Sequence, residues 1–160
     1  MKRRQRQACI AALFMLMIYC TSIAALAAGS SSDIDDHRSC VYCGMDRKAY
    51  GYSRMLIEYD DGTAVGVCSL HCAVVELDAI KGRKVKTILV ADRDSRILID
   101  AEKAVWVMGG KKPGVMTQRP KWAFGSPTAA GTFVEAYGGK IVPWSEARAA
   151  AQEDAVLRPR

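Results

Sequence analysis

The stretch Arg54-Met55-Leu56-Ile57-Glu58-Tyr59-Asp60-Asp61-Gly62-Thr63-Ala64-Val65-Gly66-Val67-Cys68 decides the fold class. Two β-prone runs flank an Asp-Gly pair, and a tight hairpin needs the positive φ that glycine supplies there. The second run ends on Cys68. Ser69 then reads as an N-cap, residues 70–80 as a helix stopped by Gly82, and residues 86–91 as a third strand.

The order recurs downstream. Strand-like runs at 96–100 and 104–108 are followed by a Gly- and Lys-rich loop, 109–118, and by a short strand at 121–124. Ser126-Pro127 opens a helix reaching Tyr137, Gly138-Gly139 stops it, and 140–144 forms a last strand. This predicts an α+β chain of two ββαβ-like units, with helices packed on small mixed or antiparallel sheets. The first unit, 40–94, carries a cysteine cluster; the second, 95–160, ends in an Ala- and Glu-rich surface helix over 145–154.

Upstream, Lys2, Arg3, Arg4 and Arg6 precede an uncharged apolar run, 8–19, and small residues around Ala25-Leu26-Ala27. Residues 1–28 therefore read as a cleaved signal peptide, too short in its apolar part for the roughly 20 residues that span a bilayer. The expected location is the periplasm or the extracellular space, with no stable transmembrane segment after cleavage. Lipid anchoring at Cys20 is disfavoured by the bulky Tyr19 before it. Residues 29–39, rich in Ser and Asp, read as a flexible tether.

The leader holds four of the 23 basic residues and none of the 17 acidic ones, so the exported chain falls from a net charge of +6 to +2. No basic block interleaved with aromatics remains, which argues against nucleic acid as a partner. Cys9 and Cys20 leave with the leader. Four cysteines stay, as Cys40-x-x-Cys43 followed by Gly44-Met45, and as Cys68-x-x-x-Cys72.

Residues two apart in a turn can both point inward, and residues four apart on a helix share a face. A helix start also favours the thiolate that metals bind. Such a cluster suits soft or borderline ions, Cu(I) and Zn(II). Two alternatives share the pattern: a pair of structural disulfides, and a redox-active Cys-Val-Tyr-Cys. About 130 mature residues can bury a core without staples, which weighs against the disulfides. A polar segment before Cys40 and Gly44 after Cys43 depart from the strand-to-helix setting of thioredoxin-type motifs. No Ser-His-Asp or Cys-His constellation is present, and the chain is read as a non-enzyme.

Of the two histidines, His37 lies in the tether, and His71 is expected to face solvent, away from Cys72. Met55 and Met108 read as core residues in strands. Met45, next to the thiol turn, and Met116, in the 109–118 loop, are candidate thioether ligands or surface methionines. A flexible loop would let Met116 move relative to the thiols, with Lys111 and Lys112 steering an acidic partner.

Tyr42-Cys43-Gly44-Met45, the Asp61-Gly62 hairpin, the run from Ile99-Asp100-Ala101 to Trp106-Val107, the loop ending in Met116, and Gly138-Gly139-Lys140-Ile141-Val142 together resemble the NosL family. The resemblance spans nearly all of the mature chain. It implies two ββαβ units related to the N-terminal part of organomercurial lyase. It also implies Cu(I) bound by sulfur and delivered to a periplasmic copper-accepting metalloenzyme, nitrous-oxide reductase. Carried over by position, it points to Cys43, Met45 and Met116. The metal set is thus Cys40, Cys43, Met45, Cys68, Cys72 and Met116, with copper as Cu(I) the expected cargo and zinc the alternative. Two features depart from the family: the poor lipidation signal, and Cys68-Ser69-Leu70-His71-Cys72, which is closer to small Cys-rich modules of the TRASH type. The competing functions are a structural zinc- or disulfide-containing interaction module and a thiol-disulfide oxidoreductase.

Overall fold

The computed structural model describes residues 32–157 apart from Lys81; the leader and residues 29–31 lie outside the described residues. The hairpin forms as its sequence dictates. Strand β1 (Met55–Tyr59) pairs antiparallel with β2 (Ala64–Val67), Met55 opposite Val67 and Glu58 opposite Ala64. Gly62 takes φ 81° at the turn, and Asp61 Oδ1 accepts from the Thr63 amide at 2.9 Å.

Helix α2 (Leu70–Ala79) follows, and its pattern explains its placement. Leu70, Ala73 and Val74 lie at the spacing of one helical face and are buried, with Leu77 packed beside them. Strand β3 (Val85–Ala91) then returns along the other side of β1, and β4 (Leu98–Asp100) pairs with β3, giving an antiparallel sheet in the order β2-β1-β3-β4. This differs from the division expected at 94/95. Residues 98–100 belong to the first sheet, because the Asp92–Arg96 turn folds the chain straight back, with the Asp92 amide donating to the Ile97 carbonyl at 2.8 Å.

The second sheet, β6-β5-β7, is built from β5 (Val105–Met108), β6 (Lys121–Phe124) and β7 (Lys140–Val142), all antiparallel. Helix α3 (Pro127–Tyr137) is capped by Ser126, whose Oγ accepts from the Ala129 amide at 3.2 Å. The ββαβ order holds in both halves, with β4 an addition to the first. Alternation along β5 divides the core between the two halves. Trp106 faces the larger cluster, donating its indole N–H to the Ala101 carbonyl at 2.8 Å, while Val107 faces the smaller one with Trp122, Phe124 and Phe133.

Helix α4 (Trp144–Leu157) binds the halves together. Its Ala147, Ala150 and Ala151 are buried, and these small side chains let it lie close against α2 and β5. Trp144 packs on Trp106 with ring centroids 5.5 Å apart. Among the described residues no helix is long and apolar enough to cross a membrane.

The expected tether is the main departure. Ser32–Asp36 forms a short helix, α1, and Asp33 is buried. Its carboxylate takes Arg54 in a two-point grip, Nε and Nη2 each at 2.9 Å, and Arg47 Nη2 at 3.0 Å. Two buried guanidinium groups need a buried anion, and Asp33 of this upstream segment supplies one to both. Charge pairing therefore overrides a polar composition that reads as linker.

Candidate metal centre

The Cys40 to Met45 segment is a closed loop rather than a simple turn. Ser39 and Asp46 bridge at its base, the Cys40 amide donates to the Met45 carbonyl at 2.9 Å, and the Gly44 amide returns to the Cys40 carbonyl at 2.9 Å. Gly44 sits at φ 73°, a conformation that side chains rarely adopt. The second prong is the junction of β2 and α2. Cys68 directly follows the strand, and Cys72 lies in the first turn of the helix.

Arg47 fastens one prong to the other. Its Nε donates to the Val67 carbonyl at 3.2 Å and its Nη2 to the Met55 carbonyl at 3.0 Å, so it grips both strands one residue before Cys68. Gly66 makes room for it, since a Cβ there would lie 2.8 Å from the Arg47 Cζ and 2.4 Å from the His37 Cβ. A second clamp runs through Glu76, one turn after Cys72. Its carboxylate accepts from Tyr42 OH at 2.5 Å and from Tyr59 OH, and the Arg83 guanidinium stacks 3.5 Å from the Tyr59 ring centroid. Burial and the neighbouring Glu76 carboxylate raise the Tyr59 phenol above its ordinary value, keeping it a donor.

These clamps bring the four sulfurs together. The Sγ atoms of Cys40, Cys43, Cys68 and Cys72 all lie within 4.8 Å of one another. Cys43 and Cys68 are 3.5 Å apart, Cys68 and Cys72 3.8 Å, and Cys72 and Cys43 3.8 Å. A tetrahedral ion with bonds of about 2.3 Å holds its sulfurs about 3.8 Å apart, so the cluster has the right size for a soft or borderline ion. All four are free thiols, and their contacts are far longer than the roughly 2.05 Å of a disulfide. Cys40, Cys68 and Cys72 are buried, and Cys43 is half-exposed. Met45 joins at the same side, its Sδ 3.9 Å from the Cys68 Sγ.

Crowding makes the thiols titrate as a group. The Cys68 and Cys72 thiols donate toward Cys40 and hold it well below the ordinary thiol value, whereas the same bond pushes Cys68 up to about 12 and Cys72 higher still. One negative charge is favoured at Cys40, and the raised Cys68 and Cys72 thiols call for a cation before they ionise.

The helix start differs from its sequence reading in two respects. Ser69 is extended and does not cap α2 with its side chain; its Oγ lies 3.7 Å from the Cys68 Sγ. His71 is half-buried rather than solvent-facing, and lines a small cavity together with Ser53, Ser69, Thr117, Lys121 and Asp154.

The 109–118 loop also differs from the flexible segment expected. Gly109 and Lys111 amides are bound at 2.8 Å by the Pro120 and Tyr137 carbonyls, Val115 is buried, and the Thr117 hydroxyl donates to Asp154 at 2.6 Å. Asp154 also takes Lys121 and Arg119. Met116, 38% exposed and at a left-handed φ of 57°, therefore projects from an anchored loop and is not among the apolar residues packed round the cysteines, as Met45 is. Arg47, Asp33 and Glu76 were not anticipated from the sequence. Glu76, an acidic residue one turn after Cys72 and next to the apolar Val74-Val75 and Leu77, is the signal that could have pointed to a buried partner.

A solved structure, that of the copper chaperone NosL from Shewanella denitrificans, superposes on this chain with a TM-score of 0.55 at 23% identity, covering 76% of this chain and 93% of that one, and shows the shared fold. No curated protein matches the chain. The NosL family model matches residues 31–151, which takes in both sheets, all four cysteines and most of the closing helix, and the chain belongs to the NosL family.

Proposed function

We propose that this protein is an exported, non-enzymatic carrier of Cu(I), which it holds on the thiolates of Cys40, Cys43, Cys68 and Cys72 and gives up to a periplasmic metalloenzyme such as nitrous-oxide reductase. The observation that carries this reading is the convergence of four free thiols within 4.8 Å, with a methionine sulfur 3.9 Å from one of them. Thiolate and thioether together select Cu(I) over harder ions. Family membership and the copper chaperone of the same fold support the metal.

Exchange needs an open side, and Cys43 and Met45 provide it. Both are half-buried, while the other three cysteines are enclosed. An acceptor's ligands would meet copper at Cys43 and Met45, while Cys40, Cys68 and Cys72 hold it from behind. Met116 is the further soft ligand, carried on a loop whose neighbours Val115 and Thr117 line the cavity against Ser69 and Leu70 at the helix start. The signal-peptide pattern of residues 1–28 supports a setting for this exchange outside the cytoplasm, in the periplasm or the extracellular space.

A second reading is favoured by the sulfur spacing itself. Four thiolates at tetrahedral distance also suit a resident Zn(II), whose role would be to hold the loop on the helix. Anaerobic titration of the reduced mature protein with Cu(I) and with Zn(II), each against a competing chelator, separates the two. The copper reading expects one equivalent of Cu(I), no loss of fold in the metal-free form, and loss of tight binding in Cys43→Ser/Cys72→Ser. A metal-free protein that unfolds, or that retains Zn(II) against excess Cu(I), would establish the structural site instead.

A further inference from the structure

We propose that the cleft beside Tyr52 and Trp122 is a docking site for an acidic polypeptide segment of a partner protein. This goes beyond the metal reading and stands independently of it. The cleft, of about 590 Å³, is lined by Tyr52, Arg93, Asp94, Arg96, Lys112 and Trp122, three cations against one carboxylate.

The charge is only partly balanced from within. Arg93 pairs with Asp94 and lies 5.2 Å from the Phe133 ring centroid, and Lys112 Nζ stands 4.8 Å over the Tyr137 ring. Among the described residues neither Arg96 nor Lys112 has a carboxylate partner. The wall is also rigid. Asp92 accepts from the Asp94 and Ser95 amides at 2.9 and 2.7 Å, Arg96 is held at a left-handed φ of 61°, and its carbonyl accepts from the buried Arg54 at 2.8 Å.

A second observation points to an acceptor. Trp122 is 3% exposed, and its indole Nε1 has no hydrogen-bond partner among the described residues. Buried donors are rarely left so, and a carboxylate that reached the indole edge would supply the acceptor, while in the cleft it is already met by the unpaired charges of Arg96 and Lys112. Tyr52 stacks on Trp122, centroids 5.8 Å apart, giving an aromatic wall for the apolar part of a peptide. Asp94 disfavours denser polyanions such as nucleic acid. The position is also suggestive of use: Ser53, next to Tyr52, donates to the Cys68 carbonyl at 2.8 Å, so an occupant of the cleft would sit one residue from the chain that supports the sulfur cluster.

The test is fluorescence anisotropy of a labelled hexaglutamate peptide titrated with the mature protein, metal-free and metal-loaded, at low and at physiological ionic strength. Binding is expected in both forms, weakened at least tenfold by Arg96→Glu/Lys112→Glu and by salt. It should be nearly unchanged in Lys84→Glu/Lys103→Glu, the same charge change at lysines 85% and 84% exposed outside the cleft. Lys112→Glu alone serves if the double variant loses its fold, which thermal unfolding reports. Absence of binding, equal loss in both double variants, or stronger retention on vesicles of anionic phospholipid than on the peptide would overturn the proposal. Metal stoichiometry, measured in the same variants, keeps this outcome separate from the carrier reading.

Discussion

The sulfurs of Cys43 and Cys68 lie 3.5 Å apart, closer than the 3.8 Å of Cys68 to Cys72 or of Cys72 to Cys43, and they join the half-exposed loop to the end of β2. A small approach would reach the roughly 2.05 Å of a disulfide. Treating the metal-free protein with a mild two-electron thiol oxidant is therefore expected to form the Cys43–Cys68 bond first, with loss of two protons, and to block metal uptake. Peptide mapping of the alkylated protein reads the pairing. A first bond within the buried trio, or oxidation unaffected by prior metal loading, would contradict this assignment.

Met45→Ala tests the thioether. Its Sδ is the soft atom nearest Cys68 outside the thiols. The variant should hold Cu(I) about tenfold less tightly, equivalent to about 1.4 kcal/mol, with a much smaller change for Zn(II), which prefers thiolate. Parallel chelator competitions with both ions give the comparison; equal losses would assign Met45 to packing.

Met116→Ala should leave equilibrium Cu(I) affinity nearly unchanged while altering the rate of transfer to a Cu(I)-accepting probe in stopped flow. The loop is pinned at Thr117 and Val115, so any effect belongs to the exposed side chain rather than to a collapsing segment. Identical transfer rates would make Met116 an ordinary surface residue.

Asp33→Asn should cost about 3–5 kcal/mol of stability, because Arg47 and Arg54 lose the charge that balances two buried guanidinium groups. The urea midpoint measures it. A change below about 1 kcal/mol would show that water or carbonyls suffice for both arginines.

Acid should loosen the Asp154 knot. Burial alone would raise this carboxyl, but hydrogen bonds from Lys121, Thr117 and Arg119 outweigh it and hold the group down to about 2, against an ordinary 3.8. A depressed carboxyl contributes stability that is present above its unfolded value and is lost as pH falls through the folded one. The window is thus between about pH 4 and pH 2, and the contribution, discounted for partial solvent access, is about 1–2 kcal/mol. Denaturation of the parent should steepen across that window, and Asp154→Asn should flatten the profile.

How much of this was legible depended on the range over which each signal acts. The Asp61-Gly62 hairpin, the Ser126 cap and the helices at 70–79 and 127–137 are written in neighbouring residues, and they appear where local chemistry puts them. The cysteine spacings likewise foretold two converging prongs. What stayed hidden is long-range. Asp33 reads as linker until two arginines 14 and 21 positions away are seen to need it. The strand at 98–100 reads equally well as the start of a second unit or the edge of the first, since pairing partners are not encoded in its own three residues. Ser69 meets every local criterion for a cap, yet the thiol beside it and the extended backbone leave the cap unmade.

The placement of the four thiols also fixes an order in time. All of them fall between residues 40 and 72, whereas the helix packed against α2 begins at residue 144, with Gln152 donating to Asp78 at 3.0 Å. A chain that emerges amino end first therefore presents its whole sulfur set while the element that steadies the cysteine helix is still to come. Until that last helix arrives, the helix carrying Cys72 lacks the neighbour against which it packs in the finished fold.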